Sequence, residues 1–235
     1  MTDLEYNLRA VQQRIADAAA RAGRNPREIT LVAVSKTFPA ESILAAHALG
    51  VRHFGENRVE EAAEKIPLLK QQLQTDATWH LVGHLQSRKV KDAAALFDFV
   101  QSVDTVALAR RLNDRAAALG KTVPILLEVN VSGEASKYGF APAPPDPFFA
   151  AVREILALPH LDAQGLMTIA PIVEHADAAR PFFRALREWR DELRAEFRDR
   201  PWPHLSMGMT DDFQAAIAEG ATIVRIGRAI FGERQ

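Results

Sequence analysis

One lysine stands at the end of an apolar run. Leu31-Val32-Ala33-Val34-Ser35-Lys36 reads as a short buried strand whose last residue is a cation, and lysine is rarely drawn into such a setting without a task. A dry environment disfavours the charged form of an amine, and a neutral amine attacks a carbonyl to form a Schiff base. The competing reading is that Lys36 lays its methylenes along the strand end and reaches solvent. A different chemistry is written near the other end of the chain, in Ser206-Met207-Gly208-Met209-Thr210 and Arg225-Ile226-Gly227-Arg228. Each stretch has a glycine, which lets backbone N–H groups come close to an anion. Ser206 adds a hydroxyl donor, and Arg225 and Arg228 add charge. Asp211 and Asp212, expected in the first turn of the next helix, oppose an anion at that terminus, so a phosphate is expected on Ser206 and the Gly227 turn. The competing reading is two ordinary glycine turns.

Other chemistries find less support. His80 and His84 are four residues apart, which on a strand separates them by about 13 Å, too far to share one metal. No His-Glu-x-x-His or Gly-x-Ser-x-Gly pattern occurs. The chain has no cysteine, which excludes thiolate chemistry and disulfides. Arg88, Lys89 and Lys91 read as a helix surface. Phe182, Phe183, Leu186, Trp189 and Leu193 read as a core-facing stripe whose neighbouring arginines and glutamates form a solvated face.

The 235 residues suit one large α/β domain or two small ones, and 48% hydrophobic with 25% charged content supplies a core and a soluble surface. A net charge of -1 carries no footprint of nucleic-acid binding. Residues 1–15 carry Asp3, Glu5 and Arg9 and lack the apolar segment of a signal peptide, and no apolar run reaches membrane-spanning length. A cytoplasmic protein is expected.

These chemistry-bearing residues need elements to position them. Leu4, Leu8, Val11, Ile15 and Ala18 recur at helical spacing and predict a helix over residues 4–22, ended by Gly23. Strands follow over residues 31–36, 51–57, 78–85, 97–103, 123–131, 161–169, 204–209 and 222–226. Helices separate them over residues 39–50, 58–73, 86–96, a segment capped by Asp104 and ending at Gly120, then 148–158, 178–198 and 211–219. The longest loop spans residues 132–147. Eight strands alternating with helices point to a single (β/α)8 barrel over residues 1–235, with an extra N-terminal helix. A doubly wound open sheet is the alternative, weakened because no Gly-x-Gly-x-x-Gly follows the first strand. In a barrel the strand C-termini line the mouth. They read Lys36, Asn57, His84 or Leu85, Asp104, Asn130, Met167 or Thr168, Ser206 and Arg225, polar ends on apolar strands. Lysine and phosphate cradle then face one mouth. A ligand with both an aldehyde and a phosphate satisfies both; pyridoxal phosphate is one, and several sugar phosphates are others.

The chain resembles the pyridoxal phosphate homeostasis protein family. The resemblance rests on the 31–36 run, His53-Phe54-Gly55-Glu56-Asn57, Trp79-His80-Leu81-Val82-Gly83-His84-Leu85-Gln86-Ser87, Ser136-Lys137-Tyr138-Gly139-Phe140, Gly165-Leu166-Met167-Thr168, Leu205-Ser206-Met207-Gly208-Met209-Thr210-Asp211-Asp212, and Val224-Arg225-Ile226-Gly227 with Ile230-Phe231-Gly232. These stretches cover the chain nearly end to end. Position 88 departs from the family's commoner asparagine and is arginine. The resemblance implies a fold similar to the N-terminal barrel of alanine racemase, with pyridoxal 5'-phosphate bound as a Schiff base on Lys36. It implies that Ser206 and the N–H groups of Gly227 and Arg228 hold the phosphate, that Arg225 meets the pyridine nitrogen, and that Asn57 lies near the ring. It further implies a carrier or buffer acting on vitamin B6 and amino-acid pools, without established turnover.

Arginine only donates hydrogen bonds. Against the pyridine nitrogen it leaves that nitrogen unprotonated and the ring a weaker electron sink. Racemases of this fold share that arrangement, so an amino-acid racemase is the second hypothesis, and a sugar-phosphate aldolase using Lys36 is the third. Two-base racemisation needs a second base on the far face of the cofactor, and Tyr138 is the one candidate, Tyr6 lying on the first helix. Expected partners are the cofactor and apoenzymes that use it, with no nucleic acid and no membrane, on a monomeric protein.

Overall fold

The computed structural model describes residues 2–74 and 76–233. Eight parallel strands close into a barrel in chain order: β1 Thr30–Val34, β2 His53–Glu56, β3 Thr78–Leu81, β4 Phe99–Val103, β5 Val123–Glu128, β6 Leu161–Met167, β7 His204–Ser206 and β8 Ile223–Ile226. The open doubly wound sheet is thereby excluded: β1 pairs with β8, Val32 opposite Arg225 and Ala33 opposite Ile226. The strands are more apolar than half-buried strands because both faces are covered. One face, including Leu81, Val100, Leu127, Leu166 and Val224, packs on the helices, while Val32, Val34, Val82, Phe99, Leu126, Met167 and Ile223 fill the barrel itself.

The helices form the outer ring: α1 Asp3–Arg21, α2 Ala40–Ala48, α3 Val59–Leu73, α4 Val90–Leu96, α5 Val106–Ala118, α6 Pro145–Leu156, α7 Arg180–Glu196, α8 Phe213–Ala218 and α9 Arg228–Phe231. The extra N-terminal helix has a structural reason. Among the described residues the ring receives after β8 the four residues of α9, and α1 packs against α8, α9 and α2, covering the seam where β1 meets β8. Arg24, just past α1, ties it there by donating to the carbonyls of Ile217 and Ala221 at 3.0 and 2.8 Å.

Several local expectations are corrected. Thr105, not Asp104, caps α5, its hydroxyl accepting from the Leu108 N–H at 3.2 Å. Helix α6 begins at Pro145 rather than at 148, because proline suits a first helical turn. Helix α8 begins at Phe213, leaving Asp211 and Asp212 in the preceding loop. The arginines of α7 are not merely a solvated face. Arg180, Arg184 and Arg187 converge on the carboxylate of Glu219 at 2.9, 3.2 and 3.0 Å, and Glu219 is buried.

Candidate functional site

A cavity of about 670 Å³ opens at the C-terminal ends of the strands. Lys36, Asn57, Arg225, Gly227 and Arg228 line it together with Val34, Phe38, Val82, Ile169, Met209 and Thr210. Residues from both ends of the chain therefore meet in one space, as expected of Lys36 and the Gly227 turn. Ser206 is the exception, and it lies fully buried below.

Lys36 stands two residues past β1, in a turn, and lines the same cavity as the inward Val34. The turn that presents it is held from behind. The Ser35 N–H donates to the Gly55 carbonyl at 2.9 Å, and its hydroxyl to Glu56 Oε1 at 2.8 Å. Lys65, reaching over from α3, donates to the Ser35 carbonyl, Glu56 and Glu61 at 3.1, 3.3 and 2.5 Å. Thr37 has φ 69°, a left-handed backbone that strains a β-branched residue by about 1–3 kcal/mol. Its N–H donates to Glu61 Oε1 at 2.5 Å, which holds the turn. Glu56 is completely buried. Burial pushes its carboxyl above the usual range, and Lys65 and Ser35 oppose that. In the sequence Glu56 stands only as part of a matching stretch, and Glu61 and Lys65 carry no signal. The available signal was an acid inside the apolar run His53-Phe54-Gly55-Glu56.

Asn57 follows β2 directly and lies beside Gly83. A Cβ on Gly83 would lie 2.3 Å from the Asn57 carbonyl oxygen, so only glycine lets the ends of β2 and β3 close up at the mouth.

The two loops of the expected phosphate cradle are both tightly built. At Gly227 a Cβ would fall 2.9 Å from the Val34 carbonyl oxygen, so the backbone approaches β1 where any side chain would obstruct. Gly208 has φ +93°, and its Cβ would stand 2.6 Å from that of Ala216. Asp212 closes this turn by accepting from the Met209 N–H at 2.6 Å. Burial raises the pKa of Asp212, with the Met209 N–H and then Arg225 opposing. The Arg228 side chain is exposed and donates to both oxygens of Asp211 at 2.8 and 2.9 Å. The hydroxyl-bearing residue of this loop that lines the cavity is Thr210. The Ser206 hydroxyl donates to Gln101 Oε1 and accepts from Arg225 NH1, each at 2.6 Å.

Arg225 is buried and also donates from NH2 to the Thr168 carbonyl at 2.8 Å. Burial lowers its pKa to about 10, and Glu128 and Asp212 oppose the drop, so it stays a cation at neutral pH. Glu128, the last residue of β5, is buried, and its Oε2 has no hydrogen-bond partner among the described residues. Burial and then the charge of Asp104 raise its carboxyl to about 7, against the pull of Arg225. Asp104 Oδ2 lies 3.1 Å from His84 Nδ1, close but short of hydrogen-bond geometry. Tyr138 stacks flat on His84 with ring centroids 3.6 Å apart. Glu128 was not singled out in the sequence, where nothing marks which face of β5 it occupies. Arg88 is exposed and donates to Gln86 at 3.1 Å, outside this cluster.

Known proteins share this architecture. The family model described as "Alanine racemase, N-terminal domain" matches residues 6–235. A pyridoxal phosphate homeostasis protein of Escherichia coli (strain K12) is 43% identical over 238 residues, covering 100% of this chain and 98% of that one. A crystal structure of an unknown protein from Bifidobacterium adolescentis superposes with a TM-score of 0.89 at 38% identity, over 98% of this chain and 97% of that one. The structure of PipY of Synechococcus elongatus with PLP bound superposes with a TM-score of 0.80 at 38% identity, over 93% of this chain and 100% of that one. With a mouth built from these motifs and relatives that match it along its whole length, the chain belongs to the pyridoxal phosphate homeostasis protein family, a branch of the alanine racemase N-terminal domain fold.

Proposed function

We propose that this protein binds pyridoxal 5'-phosphate at the barrel mouth as a Schiff base on Lys36, and acts as a cytoplasmic carrier and buffer of the cofactor rather than as an enzyme with turnover. The observation that carries the reading is the meeting, in one cavity, of the lysine in the turn after β1, a buried guanidinium on β8 and the glycine turn after β8. The donor set fits the cofactor. Lys36 meets its aldehyde and Arg225 its pyridine nitrogen. Gly227 and Arg228 line the cavity, and their backbone N–H groups are proposed to hold its phosphate. Thr210 takes the hydroxyl role expected of Ser206, because it lines the cavity while Ser206 is committed to Arg225 and Gln101. Asn57 flanks the ring. The bound form of a homologue and the names of the relatives support the same cofactor.

When bound, the cofactor supplies an aldehyde for amine capture and a ring that can withdraw electrons. What this chain adds is modest. Arg225 stays charged and donates only, so it withholds a proton from the ring nitrogen and weakens that withdrawal. Proton transfer on both faces needs two positioned bases. Tyr138, the candidate for the second, is more than half exposed and lies against His84. Apoenzymes that use the cofactor are its proposed recipients, and the carrier is proposed to work as a monomer.

The test is a spectrum and a mass. Protein loaded with pyridoxal 5'-phosphate is expected to be yellow, to fix the cofactor on Lys36 after borohydride reduction, and to lose the visible band in Lys36→Ala. A reduced adduct on another lysine would overturn the assignment.

A further inference from the structure

A line of buried polar side chains crosses the barrel interior beneath the mouth. Arg225 NH1 lies 2.6 Å from Ser206 Oγ, and Ser206 Oγ lies 2.6 Å from Gln101 Oε1. Gln101 Nε2 lies 3.0 Å from His80 Nδ1, and His80 Nε2 lies 3.0 Å from His53 Nδ1. Strands β8, β7, β4, β3 and β2 each contribute one residue. Ser206 and Gln101 are completely buried, and His80 nearly so. Polar groups at such depth are costly unless each is satisfied, and an apolar filling such as that of the neighbouring Val82 and Leu126 would serve the core without them.

The chemistry of one end sets the direction of every bond. Arginine has donors and no acceptor, so Ser206 must accept from it. The single hydroxyl proton of Ser206 then passes on to the amide oxygen of Gln101. With its oxygen engaged, Gln101 turns its NH2 to His80, whose Nδ1 must be bare. A neutral His80 carries its proton on Nε2 and gives it to His53 Nδ1. Deep burial, with His53 and His204 nearby, lowers the His80 pKa to about 3, so the neutral form is the working one. His53 lines a second, smaller cavity at the opposite end of the barrel, where the chain of donors ends.

We propose that Ser206, Gln101 and His80 are positioning residues for Arg225. They form a one-way series of donors from Arg225 to His53 that holds the guanidinium in place before any ligand arrives and holds both imidazoles in a single tautomer. The Thr168 carbonyl restrains the other arm of Arg225. The guanidinium therefore needs no ligand to find its orientation, which is the preorganisation a site requires to favour one ring geometry. The wire itself stands on these contacts alone; only its effect on the cofactor rests on the reading that Arg225 meets the pyridine nitrogen.

The experiment starts without cofactor. Nitrogen-15-labelled histidine is followed by long-range proton–nitrogen correlation at pH 7. The wild type is expected to show His80 and His53 only as the Nε2–H tautomer. Ser206→Ala removes the donor to Gln101, frees its amide to turn over, and is expected to give His80 a mixture of both tautomers, although Ser206 stands two hydrogen bonds away. Ser206→Thr keeps the hydroxyl and is expected to restore the single tautomer. Gln101→Glu replaces the donor facing His80 by an acceptor and is expected to move the His80 proton to Nδ1. An Nδ1–H His80 in the wild type, or an unchanged single tautomer in both Ser206→Ala and Gln101→Glu, would overturn the proposal. With cofactor added, Ser206→Ala is expected to shift the visible band and Ser206→Thr to return it. The expected tautomers with an unmoved band would uphold the wire and refute the pairing of Arg225 with the ring nitrogen.

Discussion

Replacing Glu128 with glutamine isolates one buried charge. Its carboxyl is raised from the ordinary 4.5 to about 7, burial leading and Asp104 adding to it. A carboxyl raised in the folded state is penalised when ionised. The native protein then holds more protons than the unfolded chain between those two values, so stability falls as pH rises through that window. At 1.36 kcal/mol per pH unit, the full penalty comes to about 3 kcal/mol. It is absent below pH 4.5 and complete above pH 7. Glutamine has no such titration and nearly the same shape, so groups elsewhere cancel when the two proteins are compared. Urea unfolding of wild type and Glu128→Gln at pH 5 and pH 8 is therefore expected to show the variant gaining on the wild type by roughly 2–3 kcal/mol across that interval. A stability difference that is the same at both pH values would refute the assignment of a buried, proton-holding Glu128.

Three further outcomes follow from the site. Lys65→Met leaves Glu56 buried without its cation and is expected to cost about 3–5 kcal/mol in urea unfolding, with a weakened hold on the turn that carries Lys36. Thr210→Ala is expected to weaken binding of pyridoxal 5'-phosphate by about 1–3 kcal/mol by fluorescence titration, while leaving the affinity for unphosphorylated pyridoxal unchanged; equal losses for both would remove Thr210 from the phosphate site. Loaded protein incubated with L-alanine in deuterated water is expected to show no appreciable exchange of the α-proton by NMR, and exchange abolished by Tyr138→Phe would replace the carrier reading with a racemase.

The barrel was legible because its signals are local. Apolar runs of five or six residues, separated by amphipathic helices, specify strands covered on both faces, and eight such repeats favour a barrel, while closure itself is shown by the pairing of β1 with β8. Lys36 was legible for the same reason, being a lone cation at the end of such a run. What stayed hidden depends on turns and register. Ser206 closes β7 and lies buried, whereas Thr210 follows the left-handed turn at Gly208 and lines the cavity. Asp104 and Thr105 are both good helix caps, and the choice went to Thr105 because Asp104 turns toward His84. The register of β5 shifts between Ile125 and Leu126, so a simple alternation along that strand could not assign Glu128 a side. The line from Arg225 to His53 joins five strands and has no signature in any one of them.

The pairing of β1 with β8 has a consequence in time. The two strands stand side by side in the barrel, yet about 190 residues of chain separate Val32 from its partner Arg225. Contacts of such long sequence separation are slow to form, and during synthesis β1 must wait for β8 to emerge before it can pair. The lysine and the glycine turn lie on opposite sides of this last join, so half a mouth exists until the ring shuts. A ligand gripped from both sides acts as a clasp on the ring, and mass action then resists its reopening in proportion to the ligand at hand. Abundance of the closed form is in this way tied to the supply of what it holds.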